Sequence, residues 1–510
     1  MLLHHWFERH ARERPDHAAL ICDAQRYTFA QIDAMARALA ITLQRAGLQR
    51  GDRVAIYLEN CVEAVVSIFA VLKAGGVFMP VNPQVKADKL AYLLVDSEAH
   101  TLIAHGTFTD TVTKALNGVS TLRTLIMTQP PVSNIDARPV MPFDAAIADA
   151  STDLIQSATI DQDLASIIYT SGSTGDAKGV MVTHLNMVTA ATSISTYLGL
   201  RDDDIILNVL PIAFDYGLYQ VLMASRVGAT LVLQRSLAFP VKVLETMVRE
   251  KVTVLPGVPT VFTMLLNLGS FGKYDLRTLR LVTNTAAALS EAQIRDIRAS
   301  FPTATLFSMY GLTECKRVTY LPPDQLDVRP MSVGKGMPNE EVWLVDEQGK
   351  RLPNGSTGEL VVRGSHVMRG YWRKPQQTAE RLKAGDLPGE MYLYTGDIFR
   401  TDSEGYLYFV ARKDDIIKSR GEKVSPREVE NVLHKLDGVL EAAVIGIADD
   451  VLGEAVKAFV VLKPGFSWSE RDVIKHCLAH MESFMAPKQV VFMDALPRTD
   501  TGKITKRGLS

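Results

Sequence analysis

The run Tyr169-Thr170-Ser171-Gly172-Ser173-Thr174-Gly175-Asp176-Ala177-Lys178-Gly179 gathers hydroxyl side chains, glycines and one lysine directly after the apolar segment Ala165–Tyr169. A strand ending in such a loop can turn backbone N–H groups and side-chain O–H donors toward a polyphosphate. The glycines permit close approach and positive φ, and Lys178 adds a mobile positive charge. A solvated surface turn would have a similar composition, and taken alone the loop says only phosphate. A Walker A loop needs GxxxxGK[ST], whereas Ala177 precedes Lys178 and Gly179 follows it, so P-loop kinase chemistry is disfavoured. No GxGxxG follows a strand, so a dinucleotide dehydrogenase fares no better.

Three further segments narrow the chemistry: Tyr310-Gly311-Leu312-Thr313-Glu314, Tyr394-Thr395-Gly396-Asp397 and Pro497-Arg498-Thr499-Asp500-Thr501-Gly502-Lys503. In that order and spacing, with the loop, they make the chain resemble the adenylate-forming superfamily of acyl-CoA synthetases, nonribosomal peptide adenylation domains and luciferases. The resemblance runs from about Tyr27 to the end and is closest in type to free-standing amino-acid and acyl ligases. It implies an enzyme that uses ATP and Mg²⁺ to join a carboxylic acid to AMP and then passes the acyl group to a thiol. On this resemblance Thr170, Ser171, Gly172, Ser173, Thr174, Gly175 and Lys178 bind ATP phosphates, with Thr285, Ala286, Met309, Tyr310 and Gly311 around the rest of the nucleotide. Thr313 donates to phosphate oxygens, and Glu314 is the Mg²⁺ ligand, a hard oxygen suited to that ion. Asp397 accepts the ribose hydroxyls, Arg412 lies beside ribose and phosphate, and Lys503 bridges the acid carboxylate and the α-phosphate during adenylation. Any one of these, met singly, would be an ordinary solvated acid or surface lysine; the ordered set gives them their meaning. The adenine wall departs from the family's Gly-rich turn, with Asn284-Thr285-Ala286-Ala287-Ala288 in its place, though small residues still admit a flat purine with Tyr310 on its other face. His184 reads as structural.

The same resemblance implies a small C-terminal domain that swings between an adenylating and a thiolating pose. Asp414 matches the hinge, and Gly421 lies on the loop that faces the thiol donor. A charged inter-domain linker would have the same residues and no swing. The segment Pro211-Ile-Ala-Phe214-Asp215-Tyr216-Gly217 falls where the family lines the acid pocket, with Phe214, Asp215 and Tyr219 as candidate contacts. Phe-Asp is the amino-acid form of that motif, the aspartate pairing with a substrate ammonium, so an amino acid is favoured. Asp215 could equally be an N-cap for the helix that follows. Lys316 and Arg317 form an unusually basic pair that would meet a substrate carboxylate or a surface acid. The expected thiol is a phosphopantetheine on a separate carrier protein, since no carrier domain is present before Ser510; CoA is the alternative, with a fatty or aryl acid and Asp215 only a cap. A binding protein on an inactive ligase scaffold would tolerate losing Lys503, Glu314 and Asp397, which are all intact.

These residues need elements to position them. With 510 residues, two to four domains are expected. The alternation of helical and strand patterns up to about residue 355 predicts an α/β fold, parallel-type sheets with flanking helices: a helix over Tyr27–Ala46 with Thr28 as cap, a strand over Arg53–Leu58, a helix over Cys61–Ala74 and strands at Val77–Val81, Leu164–Tyr169, Val252–Leu255 and Leu279–Thr283. From Gly355 short β segments follow (Gly358–Arg363, Tyr392–Tyr394, Tyr406–Val410). After the charged run at 412–415 comes a second α/β pattern, with helices over Pro426–Leu436 and Trp468–Met481. The boundary is placed there: residues 1–411 as the AMP-binding domain holding the acid and ATP sites, and 412–510 as a mobile lid carrying the lysine. Lys plus Arg is 55 against 57 for Asp plus Glu, which supports neither a nucleic-acid surface nor an anionic-membrane patch. Four scattered cysteines without CxxC spacing, and an amino terminus lacking an apolar signal run, predict a cytoplasmic enzyme with no membrane span.

Overall fold

Thr28 closes a capping box at the start of the helix Phe29–Arg45: its hydroxyl accepts from the Gln31 N–H at 3.2 Å, and Gln31 Oε1 accepts from the Thr28 N–H at 2.9 Å. Local chemistry thus fixes where the helix begins. The computed structural model describes residues 1–131, 135, 138–148, 158–170, 177–235, 237–269, 271–285, 287–419, 422–449, 453–499, 504–506 and 508–509. They form two compact units, one of Met1–Glu341 with Arg363–Met391, the other of Val342–Val362 with Tyr392–Ser510.

The first unit is built on two large sheets. One has strand order Gln25–Thr28, Ala18–Cys22, Thr230–Leu233, Ile205–Asn208, Val254–Gly257, Leu281–Asn284, Thr305–Tyr310, Thr319–Tyr320 and Lys335–Gly336. From Ala18–Cys22 to Thr305–Tyr310 all neighbours run parallel. The other has Gly370–Tyr371, Lys178–Thr183, Leu164–Thr170, Val77–Pro80, Arg53–Tyr57, Thr101–His105, Thr124–Thr128 and Val140–Pro142, parallel from Leu164–Thr170 onward. Central strands such as Val77–Pro80 and Leu281–Asn284 are buried at every position, as a parallel sheet covered on both faces requires. The expected helices and strands of this half are present within a few residues of their predicted ends.

Thr357–Gly364, Met391–Thr401 and Leu407–Arg412, which fall in the second unit except for Arg363, Gly364 and Met391, pair antiparallel. The middle strand is longer than the predicted Tyr392–Tyr394. A register irregularity opposite Glu359–Val361, with Gly396 at φ 72°, keeps the strand paired through Thr395-Gly396-Asp397. The rest is a sheet around the long hairpin Val439–Asp449 and Gly453–Leu462, with helices Pro426–Leu433 and Glu470–His480 over a core that includes Val429, Leu433, Val444, Val460, Val473 and Cys477. All four cysteines are free and buried. Among the described residues no helix is long and apolar enough to cross a membrane.

Candidate active site

The sequence-predicted residues of the first unit converge because of how its first sheet runs. Ile205–Asn208, Val254–Gly257, Leu281–Asn284 and Thr305–Tyr310 are adjacent parallel strands, and their carboxyl ends lead directly into Phe214-Asp215, Val258, Thr285 and Gly311–Arg317. Crevices outside the carboxyl ends of such strands are the ordinary place for a ligand in an open α/β sheet. Asn284, at its strand end, donates from Nδ2 to Ala287 O at 2.9 Å and shapes the turn the sequence marked as the adenine wall. Thr285 is buried with its Oγ1 unpartnered. Met309 is buried under the Tyr197 hydroxyl, 2.9 Å from its sulfur. The Gly311 turn folds so tightly that a Cβ there would stand 2.2 Å from Lys316 O, so only glycine fits.

Glu314 and the phosphate-loop lysine are drawn together by a residue the sequence did not single out. Tyr371 donates from its hydroxyl to Glu314 Oε1 at 2.7 Å, and Lys178 Nζ stands 5.4 Å from the centre of the same ring. Gly370–Tyr371 is hydrogen-bonded as a strand to Val180–Met181, which brings this ring beside Lys178. Nothing in local spacing marked Tyr371, because its partner Glu314 is 57 residues away. Thr170 and Lys178 are opposite each other in register, with a hydrogen bond of 3.5 Å from Thr170 Oγ1 to Lys178 O, so they flank the loop at its base. The loop residues Ser171, Gly172, Ser173, Thr174 and Gly175 lie outside the described residues, as do Ala286, Gly421 and Lys503.

At the acid end, Phe214 is the N-cap of the helix Asp215–Val227 and no side chain caps it, so Asp215 is the first helical residue and not the cap. Its carboxylate makes no hydrogen bond among the described residues. Tyr216 ties the helix to the sheet through its hydroxyl, 2.9 Å from Thr283 O and 2.7 Å from Thr283 Oγ1. Lys316 and Arg317 are not on the surface: each is only 4% exposed. Lys316 Nζ lies 5.7 Å from the Tyr219 ring centre, and Arg317 Cζ 4.9 Å from that of Tyr216. Burial lowers the Lys316 pKa to about 8, against the opposing pull of Asp215 and Glu314. Their adjacency to Glu314 was visible in sequence; their burial was not.

In the second unit Asp397 and Arg412 are register partners on neighbouring strands, and Arg412 Nε donates to Asp397 Oδ1 at 3.2 Å. The Asp397 N–H donates to Thr395 Oγ1 at 3.1 Å, and Glu359 accepts from both the Gly396 N–H at 3.0 Å and Lys413 Nζ at 2.9 Å. The two predicted ribose-side residues therefore form one supported pair. Asp414 falls in the short 3₁₀ turn Lys413–Asp415.

His184 is structural, as its sequence context suggested. It begins the helix His184–Tyr197, is 1% exposed and accepts the Leu3 N–H on Nδ1 at 3.2 Å. Burial lowers its pKa to about 4 from 6.5. The unfolded chain takes up this proton first as pH falls, so stability is full above 6.5 and declines as pH drops toward 4. This one group should remove about 2 kcal/mol by pH 5. Urea denaturation of wild type and His184→Gln across pH 7 to 5 checks this: the variant should lose part of the slope.

One α/β unit thus carries Lys178, Glu314 and the buried Lys316–Arg317 pair, and the other carries the Asp397–Arg412 pair. Residues 7–372 match the model for the AMP-binding enzyme family, and 428–503 match that for the AMP-binding enzyme C-terminal domain. The chain is 33% identical to the 3-[(3aS,4S,7aS)-7a-methyl-1,5-dioxo-octahydro-1H-inden-4-yl]propanoyl:CoA ligase of Rhodococcus jostii, over 98% of this chain and 97% of that protein. Its fold is similar to ATP-bound MatB from Rhodopseudomonas palustris, with a TM-score of 0.89 and 31% identity, covering 100% of this chain and 98% of that one. It is also similar to o-succinylbenzoate CoA synthetase from Bacillus subtilis in complex with an acyl-adenylate, with a TM-score of 0.86 and 26% identity over 99% and 97%. The chain belongs to the AMP-binding enzyme family. It is an AMP-forming acid–thiol ligase that uses ATP.

Proposed function

We propose that this ligase activates a small carboxylic acid, an amino acid in preference to a fatty or aryl acid, and transfers it to the phosphopantetheine thiol of a separate carrier protein. The observation that carries the amino-acid preference is Asp215. Phe214 occupies the N-cap position, so the helix-cap explanation for this carboxylate has no support, and a desolvated ammonium needs such a partner. CoA is the second reading for the thiol, favoured by relatives named as CoA ligases.

In the adenylation step the acid carboxylate attacks the α-phosphorus and pyrophosphate leaves. In the second step the thiol attacks the acyl carbon and AMP leaves. Both need positive charge and oriented donors where anionic charge builds up. Lys178, Thr170, Thr313 and the loop Ser171–Gly175 supply donors to phosphate oxygens, while Thr285, Ala286 and Met309–Gly311 bound the base. Asp397 takes the ribose hydroxyls with Arg412 beside it, and Lys503 spans the carboxylate and α-phosphate. Glu314 suits Mg²⁺: Tyr371 orients one hard carboxylate oxygen and leaves Oε2 free of hydrogen bonds among the described residues. Bound there, the ion would neutralise polyphosphate charge. Residues 412–510 act as the moving lid about Asp414, with Gly421 on the thiol face.

A pyrophosphate-exchange screen over amino acids, fatty acids and aryl acids tests the assignment. One or a few amino acids should exchange at least about tenfold faster than any plain acid, a difference of about 1.4 kcal/mol in the barrier. Preference for a plain acid would remove the amino-acid part, and acylation of free CoA as fast as of carrier proteins would remove the carrier part.

A further inference from the structure

The acid end of the first unit contains buried donors that have no hydrogen-bond partner among the described residues. Lys316 sits at φ 67°, in the left-handed region that a side-chain-bearing residue enters only when its surroundings hold it there. Its ammonium has no hydrogen-bond partner although the side chain is buried. Beneath it Tyr219 is 1% exposed, and its hydroxyl is likewise unpartnered. Arg317 Nε, next along the chain, is also without one. A lysine kept for structure would be hydrogen-bonded to a carboxylate or to backbone carbonyls, because an unmatched buried ammonium is among the least favourable groups in a protein. Here strained backbone, burial and unmatched donors coincide on one residue, two positions from Glu314 and facing the helix that begins at Asp215. Asp215 and Glu314 pull electrostatically on this ammonium, yet neither hydrogen-bonds to it.

An oxygen acceptor brought by a ligand would supply the missing partner. We infer that Lys316 and Tyr219 bind an acceptor oxygen of the acid substrate, so the preferred acid carries a hydroxyl, carbonyl or carboxylate beyond its reacting carboxylate. This rests on the assignment of this end of the first unit to the acid. It adds a demand that Asp215 alone does not make, since an ammonium at Asp215 says nothing of the side chain. A fully apolar acid would leave the ammonium and the phenol unmatched.

The test uses full-length enzyme, saturating ATP and pyrophosphate exchange with matched acids: α-aminobutyrate against threonine, norvaline against glutamate, and the plain pairs butyrate against 3-hydroxybutyrate and pentanoate against glutarate. In the pair that fits the pocket, the oxygen-bearing member should be favoured in kcat/KM by about tenfold to a hundredfold, the range for a hydrogen bond to a charged group. Glutamate or glutarate ahead of the hydroxy acids identifies the acceptor as a carboxylate; threonine or 3-hydroxybutyrate ahead identifies a neutral oxygen. Lys316→Met should collapse the ratio within that pair, mainly through KM for the oxygen-bearing acid. Tyr219→Phe, which removes one oxygen and leaves the packing, should lower the ratio by a smaller factor. Equal use of both members of every pair by wild type overturns the inference. So does an equal loss on both members in each variant, the mark of a structural role. Because plain acids are included, the inference can survive if no amino acid exchanges, and the amino-acid assignment can survive if no pair shows an oxygen preference.

Discussion

Lys503→Ala should abolish acyl-AMP formation from acid and ATP while leaving thioester formation from supplied acyl-AMP largely intact. Adenylation brings two anions together, the acid carboxylate and the α-phosphate, and negative charge is spread over the phosphoryl oxygens as pyrophosphate departs. A preorganised cation spanning both groups lowers that barrier, and removing one such donor typically costs a factor of about 100 to 1,000. The match to the family's C-terminal domain covers residues 428–503. The thiol step has no attack on phosphorus, so it should not need this charge. Single-turnover assays of each half-reaction measure the two effects separately, and equal impairment of both would count against the role. Asp414→Pro is the mirror image: fixing φ at the hinge should spare adenylation and block thioester formation. Normal rates in both half-reactions would place the hinge elsewhere.

Asp215→Ala should lower pyrophosphate exchange with the best amino acid by two or more orders of magnitude. An ammonium left desolvated without its partner costs roughly 3–5 kcal/mol, and because Asp215 is only partly buried the lower end applies; about 3 kcal/mol is a factor of about 150. The des-amino analogue should lose much less, so the ratio between the two acids is the measurement. The substitution also withdraws the first of the charges that oppose burial in keeping Lys316 protonated. Thermal stability should therefore be followed alongside, with Asp215→Asn as the isosteric control. Equal losses for both acids would mean that the carboxylate serves the protein's own Lys316 and not a substrate ammonium.

Much of the fold was legible because its signals are local. A capping threonine three residues before a glutamine and apolar runs of strand length act within a turn or two of the chain, so Thr28 marked the start of Phe29–Arg45 correctly. The strand through Asp397 was predicted only over Tyr392–Tyr394, and pairing with Thr357–Gly364 on one side and Leu407–Arg412 on the other carries it across the bulge. Long-range hydrogen bonding set its extent there.

For the site, sequence alone determined the chemical kinds and their order: a hydroxyl- and glycine-rich loop with Lys178, Glu314 after a tight glycine turn, Asp397, and a terminal lysine. Those are properties of residue type and spacing; ATP and an acid came from the family resemblance that the ordered set carries. Tertiary structure decided what each charge faces. Strand order placed Tyr371 on Glu314, and register joined Asp397 to Arg412. Packing made Lys316 and Arg317, whose partner the sequence left open between a substrate carboxylate and a surface acid, buried cations against Tyr219 and Tyr216. The physical reason is that a charge has the same letter in water and in a core, while its solvation, and hence what it can bind, is set by neighbours that come from distant parts of the chain.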